Sequence, residues 1–182
     1  MSELFSIQLQ NRQQQGRDGV WLDLPTTTEQ VQAALRQIGI SSDNPQGLFI
    51  SGYFAEEEKR FAISYNMVLA SNVDELNFLA SRLETLSTGE RAELNAALQA
   101  PQSELFSIGR ITDFPENVDY YVHLPDVHGP AQLGDYYLHR SGMVDMPEEW
   151  KGGIDTAQFG RYVAQQEQGA FTQYGYLVKS GD

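Results

Sequence analysis

The chain contains no cysteine, so disulfide bonds, thiolate metal ligands and cysteine nucleophiles are excluded. Basic residues are also scarce, because 12 Lys and Arg stand against 25 Asp and Glu and the formal net charge is -13. A nucleic acid or an anionic membrane attracts basic surfaces, so neither is expected as a partner. No run approaches the roughly 18 apolar residues of a membrane span, and the first ten residues lack a secretory pattern. The composition predicts a soluble, cytoplasmic protein.

The residues that are present support a folded chain, since 41% of the 182 residues are hydrophobic and 20% are charged. Residues 4–9 and 20–24 alternate apolar and polar side chains, which predicts half-buried strands. Capping-box spacing after Pro25 predicts a helix that ends at Gly39, and residues 47–54 are typical of a third strand.

The middle of the chain predicts two helices. Asn72 with Glu75, and Ser87 with Glu90, have capping-box spacing, and Pro101 ends the second helix. The first helix carries one apolar stripe, which consists of Val73, Leu76, Leu79, Leu83 and Leu86. So short a pair cannot bury its stripes alone, so we expect it to pack on another module or another chain.

The last part of the chain predicts strands and helices again. A strand is expected at 120–124, a helix at 130–142, a turn at 147–150, a helix at 155–169 and a closing strand at 171–178. The whole pattern predicts an α+β fold in three consecutive modules, 1–65, 66–102 and 103–182. The third module is aromatic, and its 12 acids and 5 bases give over half of the excess negative charge.

One hexapeptide, Ser-Glu-Leu-Phe-Ser-Ile, occurs twice, at residues 2–7 and at residues 103–108. Two interpretations account for it equally well: a coincidence helped by shared strand patterning, and a degenerate duplication. Duplication is not favoured over coincidence, because structural repeats normally number three or more.

Three histidines raise the question of a metal or catalytic site. His123, His128 and His139 lie close together, with Asp126 between the first two, and histidine with carboxylate suits a metal ion. The spacing of five and the intervening Pro125 do not align ligands on a helix, so surface histidines are the favoured interpretation. The sequence has no Gly-x-Ser-x-Gly elbow, dinucleotide fingerprint or Walker loop. We therefore expect no catalytic residue, no metal, no cofactor and no enzyme, with a hydrolase built on the histidines as a minor alternative.

Acidic residues are the most informative feature of the third module. Between residues 113 and 155 only Arg140 and Lys151 interrupt them. They are Asp113, Glu116, Asp119, Asp126, Asp135, Asp145, Glu148, Glu149 and Asp155. By themselves they are explained most simply as a solubilising surface. Tyrosines are crowded in the same module, and Tyr120, Tyr121, Tyr136, Tyr137 and Tyr162 are candidates either for a dimer contact or for the core.

The order of several short motifs resembles the ArdA family of antirestriction proteins, over nearly the whole chain. The motifs are Val20-Trp21-Leu22-Asp23-Leu24-Pro25, Gln37-Ile38-Gly39-Ile40, Leu48-Phe49-Ile50-Ser51-Gly52-Tyr53, Val73-Asp74-Glu75-Leu76-Asn77, Leu133-Gly134-Asp135-Tyr136-Tyr137, Met146-Pro147-Glu148-Glu149, Phe159-Gly160-Arg161-Tyr162 and Gly175-Tyr176. Each is weak alone, and their order and spacing carry the resemblance.

The resemblance implies elongated homodimers of three small modules, encoded on mobile elements and acting in the bacterial cytoplasm. It implies a DNA mimic that occupies the DNA-binding groove of type I restriction-modification enzymes, with no catalysis and no cofactor. The nine acids above would then stand in for phosphates. The alternative is an interaction or regulatory protein that keeps the fold without the mimicry.

This chain departs from the family in its middle segment, which is less acidic and contains Arg82 and Arg91. Two chains of -13 give -26, against about 40 charges on about 20 base pairs of duplex DNA. Mimicry therefore requires that the acids be concentrated on one face, since a groove responds to the local field.

Overall fold

The chain has the α+β fold that its sequence predicts, and its contacts divide it into two compact units. The computed structural model describes residues 3–14, 18–41, 43 and 45–180. Unit 1 comprises Met1–Ser87 and Glu104–Pro115, and unit 2 comprises Thr88–Ser103 and Glu116–Asp182. The helices expected as a middle module are thus shared between the units, and the three-module division stays a prediction. Within the described ranges, no helix is long and apolar enough to cross a membrane.

The elements follow one another in a mixed order of strands and helices. They are β1 (Phe5–Asn11), β2 (Val20–Leu24), α1 (Thr28–Gln37), β3 (Leu48–Phe54), α2 (Tyr65–Leu69), α3 (Val73–Glu84), α4 (Thr88–Gln99), α5 (Ile108–Thr112), β4 (Tyr121–Leu124), α6 (Pro130–Asp135), a π-helical turn (Tyr136–Arg140), α7 (Glu148–Lys151), α8 (Thr156–Glu167), β5 (Ala170–Thr172) and β6 (Gly175–Lys179). Short 3-10 turns occur at Glu57–Lys59, Phe114–Glu116 and Val118–Tyr120.

Unit 1 is built on an antiparallel sheet with the order β2-β1-β3. Every second residue of β1 faces the core, and Phe5, Ile7 and Leu9 are buried there. This burial follows from the two-residue period of a strand, which also explains why the alternating sequence predicted it. Gly39, at φ +70°, ends the turn after α1, because the left-handed backbone there suits glycine.

Two buried or half-buried asparagines connect the helices of unit 1 to this sheet. Asn77 of α3 accepts from the Thr26 backbone N–H at 2.7 Å and donates to the Thr26 carbonyl at 3.0 Å. Asn11, at the end of β1, donates to the Ile38 carbonyl at the end of α1 at 3.0 Å. Because these polar groups are paired, their burial costs little, and α3 is held to the N-terminal sheet. Helix α5 also packs against α3.

Unit 2 contains a second antiparallel sheet, with the order β4-β6-β5. Val127, Leu133 and Tyr176 form its buried cluster. Helix α4 packs against β6 and therefore belongs to this unit, although sequence alone grouped it with α3.

Helices α6 and α8 of unit 2 cross with their backbones in contact. A Cβ at Gly134 would lie 1.9 Å from the Thr156 carbonyl oxygen, and one at Gly160 would lie 1.8 Å from the Pro130 carbonyl oxygen. Only glycine fits at either position, since both obstructing atoms are backbone.

Most of the predicted elements are present, two local expectations need correction, and two short helices were not predicted. The closing strand expected at 171–178 is a hairpin, because Gly175 at φ +114° turns the chain between β5 and β6. The helices α2 and α5 have five residues each, too few for a periodic pattern to reveal them. The turn expected at 147–150 is the short helix α7.

Candidate functional site

All nine acidic residues of the predicted mimic surface are exposed to solvent. Eight of them belong to unit 2, and Asp113 belongs to unit 1. Unit 2 carries 12 acidic and 5 basic residues, so exposed carboxylates outnumber the cations that could neutralise them. Their assignment as phosphate surrogates remains a prediction.

Asp135 and Glu148, two of these acids, form ion pairs within unit 2. Asp135 Oδ2 lies 3.7 Å from Arg140 Nε, and Glu148 Oε1 accepts from Lys151 Nζ at 2.6 Å. The Lys151 hydrogen bond lowers the pKa of Glu148 from its ordinary value, and His139 at 3.9 Å acts in the same direction. Both pairs are solvent-exposed on the acid side, so water screens them and leaves the carboxylates accessible.

Other acids of unit 2 differ in the contacts that their side chains make within the fold. Asp155 caps α8, because its Oδ1 accepts from the Gln158 N–H at 2.9 Å. The side chains of Asp126, Asp145 and Glu149 make no hydrogen bond or ion pair with any other described residue. These three are therefore the best probes of a binding role, since their removal disturbs no contact within the described chain.

Helix α4 adds acids to unit 2 that sequence reasoning assigned elsewhere. Burial, together with the charges of Glu90 and Asp119, raises the pKa of Glu93 to about 7. Glu93 Oε1 is buried and has no hydrogen-bond partner among the described residues. The effect of Asp119 shows that the acids of α4 and of the C-terminal segment influence one another. The sequence held no signal for this, because the two segments are separated by more than 20 residues.

The five candidate tyrosines divide into different environments. Tyr120 and Tyr162 are 49% and 60% exposed, while Tyr121 is half-buried. Tyr136 and Tyr137 pack on the core of unit 2, and their rings meet edge to face with centroids 5.5 Å apart. A core role thus accounts for Tyr136 and Tyr137, and exposed ring surface remains at Tyr120 and Tyr162.

Glu167 connects the π-helical turn, α8 and β6 through two tyrosine hydroxyls. Tyr137 donates to Glu167 Oε1 at 2.5 Å, and Tyr176 donates to Oε2 at 2.9 Å. Burial, followed by the Glu167 hydrogen bond, raises the pKa of both tyrosines. Both phenols therefore remain protonated donors to this carboxylate at neutral pH, and their role is structural.

The histidines contact the β5–β6 hairpin and helix α7. His123 Nε2 lies 2.7 Å from the Tyr174 carbonyl oxygen, and His128 Nδ1 lies 3.4 Å from that of Thr172. Across the described part of the chain, no group of three or more His, Asp and Glu is arranged to hold a metal ion. The two rings hold the hairpin to the chain around β4, a role that no sequence motif signals.

These observations define an acidic α+β protein with many exposed carboxylates. The family model for Antirestriction protein (ArdA) matches residues 15–178. The match spans most of the 182 residues, so the chain belongs to the ArdA family of antirestriction proteins. No individual curated protein matches it.

Two motifs that carry the family resemblance have a structural explanation. The segments Leu133-Gly134-Asp135 and Phe159-Gly160-Arg161 supply the two glycines at which α6 and α8 touch. In each motif the glycine serves packing, while the neighbouring Asp135 or Arg161 is exposed. The two glycines therefore belong to the scaffold of unit 2, while Asp135 belongs to the candidate surface.

Proposed function

We propose that this antirestriction protein is a DNA mimic that occupies the DNA-binding groove of a type I restriction-modification enzyme. The observation that supports the proposal is the exposure of all nine predicted acids, in a chain whose family is antirestriction proteins. Competitive occupation needs no catalytic residue, cofactor or metal ion.

The mechanism is electrostatic. Carboxylates take the positions of phosphates opposite Lys and Arg in the groove of the enzyme, and many weak contacts add up. Exposed charges act over about 8 to 10 Å at physiological ionic strength, so the local concentration of acids matters more than the net charge of -13. A dimer with a net charge of -26 carries fewer charges than the DNA it replaces. Each cluster of acids must therefore contribute a larger share of the binding.

The decisive experiment removes charge without removing structure. The triple variant Asp126→Asn, Asp145→Asn, Glu149→Gln neutralises the three acids whose side chains have no partner among the described residues. The control, Asp43→Asn, Glu57→Gln, Glu58→Gln, removes the same charge from exposed positions in unit 1. Binding of each variant to a type I methyltransferase core is measured at low and high salt.

We expect the unit 2 variant to bind about ten- to a hundredfold more weakly at low salt, since exposed pairs contribute about 0 to 1 kcal/mol each. High salt should shrink the difference, and the control should bind nearly like the parent. Equal losses in both variants would show that only net charge matters. A flat response to charge and salt would reject mimicry and favour an interaction or regulatory protein on the same fold.

We also propose that the protein is a homodimer whose contact includes exposed aromatic residues of unit 2. Tyr120 and Tyr162 expose about half or more of their surface, and tyrosine is enriched among the residues that contribute most to protein–protein contacts. Light scattering at micromolar concentration should give twice the mass of 20.4 kDa. A monomer at that concentration would contradict this part of the proposal.

A further inference from the structure

The outer face of the unit 1 sheet carries an aromatic and acidic surface. Cross-strand partners place their side chains on the same side of a sheet. Ser6 of β1 pairs with Asp23 of β2 and with Phe54 of β3, and Gln8 pairs with Trp21 and with Gly52. The neighbours of Ser6 and Gln8 along β1 face the core, so these six residues form the opposite face, which we call the outer face.

Gly52 makes room for the indole of Trp21 to lie across this face. A Cβ at Gly52 would lie 3.1 Å from Trp21 Cη2 and 3.1 Å from Gln8 Cβ. The indole therefore reaches from β2 over Gln8 to β3, a distance of two strand spacings or about 10 Å. Trp21 is 50% exposed, so a large part of its surface is open to solvent. Phe54, at 56% exposed, borders the same face.

Asp23 places a carboxylate next to this ring. Asp23 and Trp21 are two residues apart on β2, so their side chains emerge on one side about 7 Å apart. The Ser6 hydroxyl donates to Asp23 Oδ1 at 2.6 Å, which fixes the orientation of the carboxylate. Asp23 is exposed, and among the described residues no cation pairs with it or lies over the Trp21 ring.

We propose that the outer face binds an arginine side chain of a partner protein. A guanidinium is planar and weakly hydrated, so it can stack on the Trp21 ring while one edge donates to the Asp23 carboxylate. A neutral ligand would leave the charge of the carboxylate uncompensated, and the net charge of -13 opposes nucleic acid.

The protein uses the same contact internally, which supports the chemistry. The Arg12 guanidinium lies 5.2 Å from the centre of the Phe49 ring, and Phe49 pairs with Gln10 on the outer face. The Arg110 guanidinium lies 4.6 Å from the centre of the Phe106 ring. Trp21 offers a larger ring than either phenylalanine and a carboxylate beside it.

This site is independent of the DNA-mimic proposal, because none of its residues is among the nine acids. Its test therefore uses peptides and no restriction enzyme. A capped pentapeptide, Gly-Arg-Gly-Arg-Gly, is titrated into the full chain, and the NMR signal of the Trp21 indole N–H is followed. The same peptide with lysine in place of arginine is the matched probe, and the Trp150 indole reports general charge attraction.

We expect saturable shifts of the Trp21 indole and of the Gln8 and Gly52 amides, with the arginine peptide bound about two- to fivefold more tightly than the lysine peptide. Asp23→Asn and Trp21→Leu should each weaken binding by about two- to fivefold, and Trp21→Phe should keep part of it. Glu58→Gln removes an exposed acid of unit 1 outside the face and should leave binding unchanged. The dispersion of the amide spectrum confirms that each variant is folded.

Several results would overturn the proposal. Equal binding of both peptides, or an equal loss in Glu58→Gln, would show unspecific attraction to an acidic protein. Saturable shifts of the outer face with a neutral glucose oligomer would identify a carbohydrate site instead. Shifts that depend on protein concentration without peptide would show that a second copy covers the face, and no shift at all would show that it binds no guanidinium.

Discussion

The substitution Gly160→Ala tests the packing of unit 2 most sharply, because two physical effects predict opposite signs. Gly160 lies within α8, where alanine is favoured over glycine by about 1 kcal/mol on helix propensity. At this position, however, the added Cβ would lie 1.8 Å from the Pro130 carbonyl oxygen and 2.8 Å from the Gly134 nitrogen. Neither atom can rotate away, so α6 and α8 must separate.

The size of the effect follows from that separation. Ordinary contact begins near 3.4 Å, so the helices must move apart by about 1.5 Å. Overpacking of this kind costs about 1 to 3 kcal/mol, and separation also loosens the buried Leu133. After the propensity gain of about 1 kcal/mol is subtracted, and with the loosening of Leu133 added, we expect a net loss of about 1 to 2 kcal/mol. For a chain of this length that lowers the melting temperature by about 2 to 8 °C.

Urea and thermal unfolding followed by circular dichroism measure this loss. Gly89→Ala is the matched control, since Gly89 lies in α4 of the same unit and nothing is within 4 Å of its added Cβ. The control should be neutral or slightly stabilised. If Gly160→Ala were as stable as the parent, the close crossing of α6 and α8 would be wrong.

Two further predictions concern buried polar groups of unit 2. Tyr176→Phe removes a hydrogen bond to the carboxylate of Glu167 and should lower the free energy of unfolding in urea by about 1 to 3 kcal/mol. Tyr174→Phe is the control, because the Tyr174 hydroxyl makes no described contact, and it should lower the free energy much less. The pKa of Glu93 is about 7 in the folded chain and near its ordinary value of 4.5 in the unfolded chain. The protonated side chain therefore contributes its full stabilisation below pH 4.5, and this contribution falls as the pH rises to 7. Glu93→Gln should therefore gain stability relative to the parent between pH 5.5 and pH 8, and a pH-independent difference would contradict the raised pKa.

Regular elements could be predicted from sequence wherever one local rule decided the structure. The alternation in β1 and the Asn72 cap of α3, whose Oδ1 accepts from the Glu75 N–H at 2.9 Å, are of this kind. The repeated hexapeptide shows where local rules fail. In the first copy Phe5 is buried in β1, whereas in the second copy Phe106 is 66% exposed and Ser107 caps α5. Identical residues take different structures because their tertiary neighbours differ; Ser2 of the first copy lies outside the described residues.

The candidate surface could be predicted in its composition and not in its arrangement. Charge and exposure follow from residue type, which is why the acids were identified from sequence. The contact of α4 with β6 and the influence of Asp119 on Glu93 both depend on residues far apart in sequence, which no single-sequence period encodes. The outer face was missed for the same reason, because Trp21 and Gly52 meet only after β1 pairs with both neighbours.

The most direct test of the central claim is the plating of unmodified phage on a bacterial host with a type I restriction system, with and without this protein. We predict that expression of the chain restores plating toward that on a non-restricting host, and that the triple variant at Asp126, Asp145 and Glu149 restores less. Unchanged restriction at an expression level where the folded protein is detected in the cells would contradict the account.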